Sequence, residues 1–205
     1  MARSATQPAL SEEAIVTAAM KLISRKGAAA LTMRDLASEL GVSPMAAYHY
    51  VDGKDDLLRR VGNHVWSLLA VPSAEEGPWY VRLRLSMLAE RDALAPYPGL
   101  DAALHFLDVE HKRAFENAEL DLLLDAGIPP VQAVPAFRTL MSWVQGHRYI
   151  ESTLRNPNTR RPPGMMGKAQ VLALDRDRMP EMHADDYFMF GLDAVIAGLR
   201  VELES

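Results

Sequence analysis

Two stretches of the sequence hold side chains whose types and spacing could do chemistry. In "HFLDVEHKR", His105, Asp108, Glu110 and His111 place two imidazoles and two carboxylates within seven residues. That is the donor set of a divalent-metal site or of an acid–base pair. On a helix His105 and Asp108 are neighbours, but His111 does not converge with them on one point. The chain has no HExxH, no GxSxG and no phosphate-binding glycine loop. It has no cysteine, so thiol nucleophiles and thiolate metal sites are excluded as well. Neither catalysis nor a metal or other cofactor is expected, and this cluster reads as structural or solvated.

The second stretch is "GVSPMAAYHYVDGK", Gly41 to Lys54. It lacks the large aliphatics of a core helix and the paired nucleophile and base of a catalytic loop. Its polar side chains, Ser43, Tyr48, His49 and Lys54, suit contacts to a phosphate backbone, and the small Ala46 and Ala47 permit close approach. Lys54 adds a cation to the free N–H groups of a helix start, a combination that anchors phosphate.

The elements that would position these residues are helical throughout. Ser11 caps a helix with Glu12 and Glu13 in its first turn and an apolar stripe of Ile15, Ala18, Leu22 and Ile23, stopped at Gly27. Thr32 and Asp35 form a capping box ahead of Leu36, Ala37 and Leu40, and Gly41 ends that helix. Ser43 caps a short third helix with Pro44 in its first turn. A fourth, from Lys54, carries Leu57, Leu58, Val61 and Val65. Two short helices joined at a glycine make a helix-turn-helix, whose second helix enters the major groove. A plain helical hairpin with a solvated face has the same spacing. Further on, Pro78–Leu94, Leu100–Ala126, Val131–Thr153 and Ala184–Leu203 read as helices, with no strand alternation and no repeat. Arg155–Pro180, rich in proline, glycine and basic residues, reads as mobile, with a helical turn at Ala169–Leu174.

The fold expected is all-α, with a three-helix DNA-binding domain over residues 1–54 and a larger helical bundle over 55–205. The 205 residues are 49% hydrophobic, enough for a packed core. No run of eighteen apolar residues exists and the N-terminus lacks an apolar leader, so a cytoplasmic location with no membrane partner is expected. The net charge of −5 looks wrong for a DNA binder. It is unevenly placed: eight basic against seven acidic side chains through Arg60, and an acidic excess beyond. That suits a small nucleic-acid module on an acidic body.

The segment "LTMRDLASELGVSPMAAYHYVDGKDDLL", Leu31 to Leu58, resembles the DNA-binding segment of the TetR family of transcriptional regulators. Thr32, Ala37, Gly41-Val42, Tyr48, Lys54 and Leu57-Leu58 follow the family pattern, whereas Val51 stands where the family commonly has Phe. More loosely, "PWYVRLRLSMLAERDALAPYPGL" and "FMFGLDAVIAGLRVELE" are similar to the tetracycline-repressor-like C-terminal domain. The resemblance implies a homodimer on palindromic double-stranded operator DNA, acting as a repressor released by a small-molecule effector. A DNA-binding architectural protein or an activator without effector is the alternative.

The resemblance also implies roles for particular residues. Thr32 and Arg34 lie at the start of the second helix, where Arg34 can reach a base or phosphate. Pro44, Met45 and Ala46 face base edges, and Tyr48, His49 and Lys54 hold the backbone. Since those three base-facing residues bring no hydrogen-bonding side chain, readout would lean on Arg34, Ser43 and apolar contact with thymine methyls. Tyr50 is expected in the core. Dimerisation is implied through the last two long helices, where Phe137, Leu140, Met141 and Val144 share one stripe and Phe188, Leu192, Val195 and Leu199 another. Such stripes are equally the signature of core. Effector contacts are expected from Trp66, His105, Phe106, His111, Trp143 and His147, aromatics with few polar groups in the manner of small-molecule sites.

Overall fold

The computed structural model describes residues 11–155 and 184–203. Among them every regular element is helical. The order is α1 (Glu12–Lys26), α2 (Met33–Leu40), α3 (Pro44–Tyr48), α4 (Lys54–Ser67), a 3-10 turn (Ala74–Glu76), α5 (Trp79–Leu94), α6 (Leu100–Leu104), α7 (Glu110–Asp125), α8 (Pro130–Arg155) and α9 (Ala184–Leu203). The all-α expectation therefore holds. The run Arg155–Pro180, apart from Arg155 at the end of α8, lies outside the described residues.

The chain divides into two compact units, Met1–Leu68 with Leu94–Arg113, and Leu69–Ala93 with Ala114–Ser205. The first keeps α4 packed on α1 and α6, so the grouping differs from a single cut after residue 54. Its core is Ile15, Ala19, Ile23, Leu36, Leu57, Val61 and Trp66 with Leu100 and Leu104. The Ala28 amide donates to the Pro98 carbonyl at 2.9 Å and ties the α6 approach to the end of α1.

One helix is shorter than its pattern suggested. Leu100–Ala126 reads as continuous, yet the structure breaks it between Leu104 and Glu110. Both sides of the break pack on Gly62 of α4, whose missing side chain leaves room for Leu104 and Val109; a Cβ there would lie 2.9 Å and 3.1 Å from them. Positions five apart on one helix differ by roughly 140° and could not both face the same residue. Breaking the helix buries both.

The second unit packs α5, α7, α8 and α9 around Trp79, Leu83, Met87, Leu122, Leu123, Phe137, Leu140, Val144, Phe188, Leu192 and Ile196. The two apolar stripes expected on the long C-terminal helices are thus core of a single chain. α9 is apolar on its other side as well: Tyr187, Phe190, Ala194, Ala197, Gly198 and Val201 are all exposed, Phe190 at 75%.

Candidate nucleic-acid interface

Local hydrogen bonds set the ends of the two helices, and Met33, Leu36, Ala37 and Ala47 bury their inner sides. The Thr32 hydroxyl accepts from the Asp35 amide at 3.2 Å, and the Asp35 carboxylate accepts from the Thr32 amide at 3.2 Å, so the capping box is complete. Gly41, at φ 68 and ψ 27, takes the left-handed conformation that closes α2. The next amide, Val42, bonds back to Ala37 at 2.9 Å. Ser43 then caps α3 by accepting from the Ala46 amide at 3.1 Å.

α1 holds α2 through ion pairs. Lys26 bonds Asp35, while Lys21 at 2.6 Å and Arg25 at 2.5 Å converge on Glu39. The Lys26 and Thr32 hydrogen bonds hold the Asp35 carboxyl below its usual range, and those from Lys21 and Arg25 do the same for Glu39. The acids of α2 are thereby neutralised beside the surface that would meet phosphates.

The predicted contact residues sort into two kinds. Thr32 and Ser43 are exposed and their hydroxyl oxygens accept the cap hydrogen bonds; Thr32 also donates to Asp35, whereas Ser43 keeps its hydroxyl proton for a further acceptor. Lys54 donates from Nζ to the Ala29 carbonyl at 2.8 Å, which latches the start of α4 to the turn after α1. An ammonium has three protons, so two remain for a phosphate. The others face outward. Arg34 is exposed and has no ion-pair partner among the described residues. On α3 the buried side is Ala47, at 2% exposure, and Pro44, Met45, Tyr48 and His49 are exposed on the rest of the turn, with Ala46 half-buried. Met45 is 70% exposed and Tyr48 51%. Tyr50 departs from its expected place in the core: α3 ends at Tyr48, and the ring is exposed. Val51 takes the core position beside it.

The six candidate effector residues fall in both units. In the first, Trp66 is core, with the Lys112 ammonium 5.8 Å from its ring centre. His105 and Phe106 stack edge to face at 4.7 Å, and Phe106 is almost wholly exposed. The His111 backbone amide donates to the Asn63 side-chain oxygen at 3.0 Å. In the second unit Trp143 and His147 come together, ring centres 5.5 Å apart, and both pack on the buried Phe188. The Arg91 guanidinium covers Phe188 at 4.5 Å while bonding Asp185 at 2.6 Å and Glu151 at 3.2 Å. Burial foremost, and Arg91 with it, lowers the His147 pKa against the pull of Glu151, which favours the neutral imidazole.

Sequence reasoning missed a second polar group in this unit. Among the described residues the buried polar side chains are Ser86 and Glu90 on α5, Glu119 on α7 and Arg148 on α8. Arg148 Nη1 lies 3.0 Å from Glu90 Oε2. Ser86 Oγ is 2.7 Å from Glu119 Oε1 and 3.0 Å from the Leu83 carbonyl. Burial first, and then the neighbouring Glu90 carboxylate, push the Glu119 carboxyl well above the usual range, against the Ser86 hydrogen bond. The signal was present in the helical period: Glu119 stands four residues from Phe115 and three from Leu122, on the buried stripe itself.

Comparisons with known proteins agree with this geometry. Residues 15–61 match the family described as bacterial regulatory proteins, tetR family. The chain is 28% identical to the HTH-type transcriptional repressor DrrR1 of Streptomyces coeruleorubidus over 218 aligned residues, spanning 95% of this chain and 79% of that protein. Its structure is similar to that of TetR from Acinetobacter baumannii AYE, with a TM-score of 0.71 at 25% identity, covering 95% and 98% of the two chains. It is also similar in fold to the TetR family protein ActR of Streptomyces coelicolor in complex with actinorhodin, with a TM-score of 0.73 at 22% identity, covering 96% and 98%. The resemblance drawn from Leu31–Leu58 and from the C-terminal helices is borne out.

Proposed function

We propose, from the premise that the chain is a transcriptional regulator of the TetR family, that it is a cytoplasmic repressor acting by binding rather than catalysis. It binds palindromic operator DNA as a homodimer and is released by a small molecule. The observation that carries this reading is the exposed set on α2 and α3: Arg34 with no ion-pair partner among the described residues, an open Met45, and Tyr48 with His49 beside it, on a glycine-turned pair of helices. A five-residue recognition helix reads too few bases for a genome-wide address. Two of them, one helical turn or a small multiple apart, restore the affinity.

The exposed apolar side of α9, Tyr187, Phe190, Ala194, Ala197 and Val201, supports association with a second copy. Trp143, His147 and Phe188 support an apolar effector, since their rings already gather in one place within the second unit. The relatives add a repressor by name and a fold relative held with actinorhodin.

The test is selection of bound duplexes from random DNA, followed by gel shifts on the recovered sequences. Palindromic sites with a steep loss of binding on added salt are expected, because phosphate contacts release counterions. Equal binding to all duplexes at moderate salt refutes the reading. Operator-specific binding that no small molecule ever relieves would leave a DNA-binding protein without an effector.

A further inference from the structure

We propose that Met45 reads the C5-methyl group of a pyrimidine in the major groove, so that the protein accepts 5-methylcytosine in its operator where it accepts thymine. Cytosine methylation is then an input that changes where it binds. This rests on the operator-binding reading above and names the base feature that α3 recognises.

The direction of each side chain on α3 follows from its position, since successive residues of a helix are about 100° apart. Ala47 forms the buried side, at 2% exposure. Met45, two residues earlier, is 70% exposed and stands about 160° from Ala47, nearly opposite. It therefore points away from the core and toward any groove that α3 enters. His49 lies on the same side one turn on, but beyond the end of α3, and it is the first turn of a recognition helix that reaches base edges. Beside Met45 in that turn, Pro44 and Ala46 have no polar side-chain atom.

Met45 has no N–H or O–H, and its thioether is only a weak acceptor. It has no means of pairing with the donors and acceptors that separate the four base pairs. One groove feature does suit an unbranched, polarisable apolar chain, the pyrimidine C5-methyl. Thymine carries that methyl in ordinary DNA, and 5-methylcytosine carries it at the same ring position. The two bases differ at C4, an acceptor oxygen in thymine and an amino donor in cytosine. A thioether gives nothing to the first and accepts only weakly from the second. Ser43 does not restore the distinction. Its oxygen accepts the Ala46 amide at 3.1 Å, which leaves a lone pair and the hydroxyl proton, so it can meet either group. The Arg34 guanidinium only donates, to guanine O6 and N7 or to phosphate, none of which changes when C5 is methylated. What Met45 can tell apart is a methyl present from a methyl absent.

The test uses the full chain and the operator duplex recovered by selection from unmodified random DNA. Each thymine of a half-site is replaced in turn, in both half-sites together, by uracil, by cytosine and by 5-methylcytosine, with guanine opposite the last two. Thymine against uracil, and 5-methylcytosine against cytosine, are pairs that differ by one methyl. Covering a methyl is worth about a factor of four, hence about fifteenfold over two symmetric half-sites. At one thymine of the half-site, gel shifts should show about that loss within both pairs alike. Met45→Leu, apolar and of similar volume, should keep both ratios. Met45→Ala, too short to cover the methyl, should bring both close to one with an unchanged circular dichroism spectrum, because the side chain it trims is exposed. A half-site without thymine, or one whose thymines all tolerate uracil, overturns the proposal and leaves operator recognition standing. Ratios that persist in Met45→Ala overturn the assignment to Met45. Sensitivity to uracil with indifference to cytosine methylation overturns the equivalence of the two bases. Binding with no sequence preference defeats the operator reading, and this proposal with it.

Discussion

Gly191 offers a sharp test of how α8 and α9 pack. A Cβ built there would lie 2.1 Å from Trp143 Cζ2, 2.9 Å from Cη2 and 3.0 Å from Cε2. An indole cannot bend, and this one is hemmed in by His147 and by the fully buried Phe188. In an unobstructed helix, glycine to alanine gains about 1 kcal/mol of helix propensity. Overpacking a filled core costs about 1–3 kcal/mol, and the 2.1 Å approach to a ring places this site at the upper end. Gly191→Ala should therefore destabilise the protein by about 1–2 kcal/mol, a fall in Tm of about 2–8 °C. Gly146 on α8 is the control, because nothing lies within 4 Å of a Cβ there. Gly146→Ala should raise Tm by about 2–4 °C. Circular dichroism melts of both variants decide the matter, together with Gly191→Ala made in a Trp143→Leu background. With the ring gone, the alanine should no longer destabilise. Equal Tm gains at Gly191 and Gly146 would refute the packing.

Other outcomes follow from the same structure. Leu192→Glu places a carboxylate at a fully buried position and should cost several kcal/mol, about 3–5, with loss of helicity. Phe190→Glu, on the open side of α9, should keep the circular dichroism spectrum and convert dimer to monomer in light scattering; unchanged mass refutes that interface. Arg34→Ala should lower operator affinity about tenfold, with the salt dependence reduced by about one phosphate contact if it binds backbone. Met45→Gln should change the preferred bases in a selection experiment without changing Tm. The pH dependence of folding carries two signs. Asp35 and Glu39, held low by their ion pairs, and Asp56, where Arg60 and the Asp52 amide outweigh burial, give stability that is full above the ordinary values of 3.8 and 4.5 and is lost as pH falls through their lower folded values. Glu119, raised in the folded state, contributes stability present below 4.5 and lost as pH rises toward its folded value. The Tm gap between Glu119→Gln and the unaltered chain should thus shift in favour of glutamine with rising pH.

Much of the first unit was legible because its signals are local. Ser11, Thr32 with Asp35, Gly41 and Ser43 each act within four residues, and each does in the structure what its type predicts. The misread features depend on distant partners. The break before Glu110 packs against Gly62, and the occupation of Lys54 depends on Ala29, twenty-five residues earlier. α9 shows a different limit: the stripe with Phe188 and Leu192 was legible, but the sequence left open whether it was core or dimer surface, and Tyr187, Phe190 and Val201 make another side apolar as well. Ser86, Glu90, Glu119 and Arg148 lie on three helices, and only tertiary packing brings them to one place. The candidate contacts on α3 were readable as a group, and so were the caps that Thr32 and Ser43 supply.

The capping of α3 has an evolutionary consequence. Ser43, Pro44 and the inward Ala47 maintain that helix, while Met45, Tyr48 and His49 add little to it and stand open. On the function proposed above, the positions that would meet the operator are thereby uncoupled from positions that keep the turn folded. If Met45 faces base edges as proposed, drift there would retarget the protein to new promoters with no loss of structure for selection to repair. Duplicated copies of this gene could part company in their target genes long before they diverged in stability, and a randomised library at these outer positions should yield mostly folded proteins.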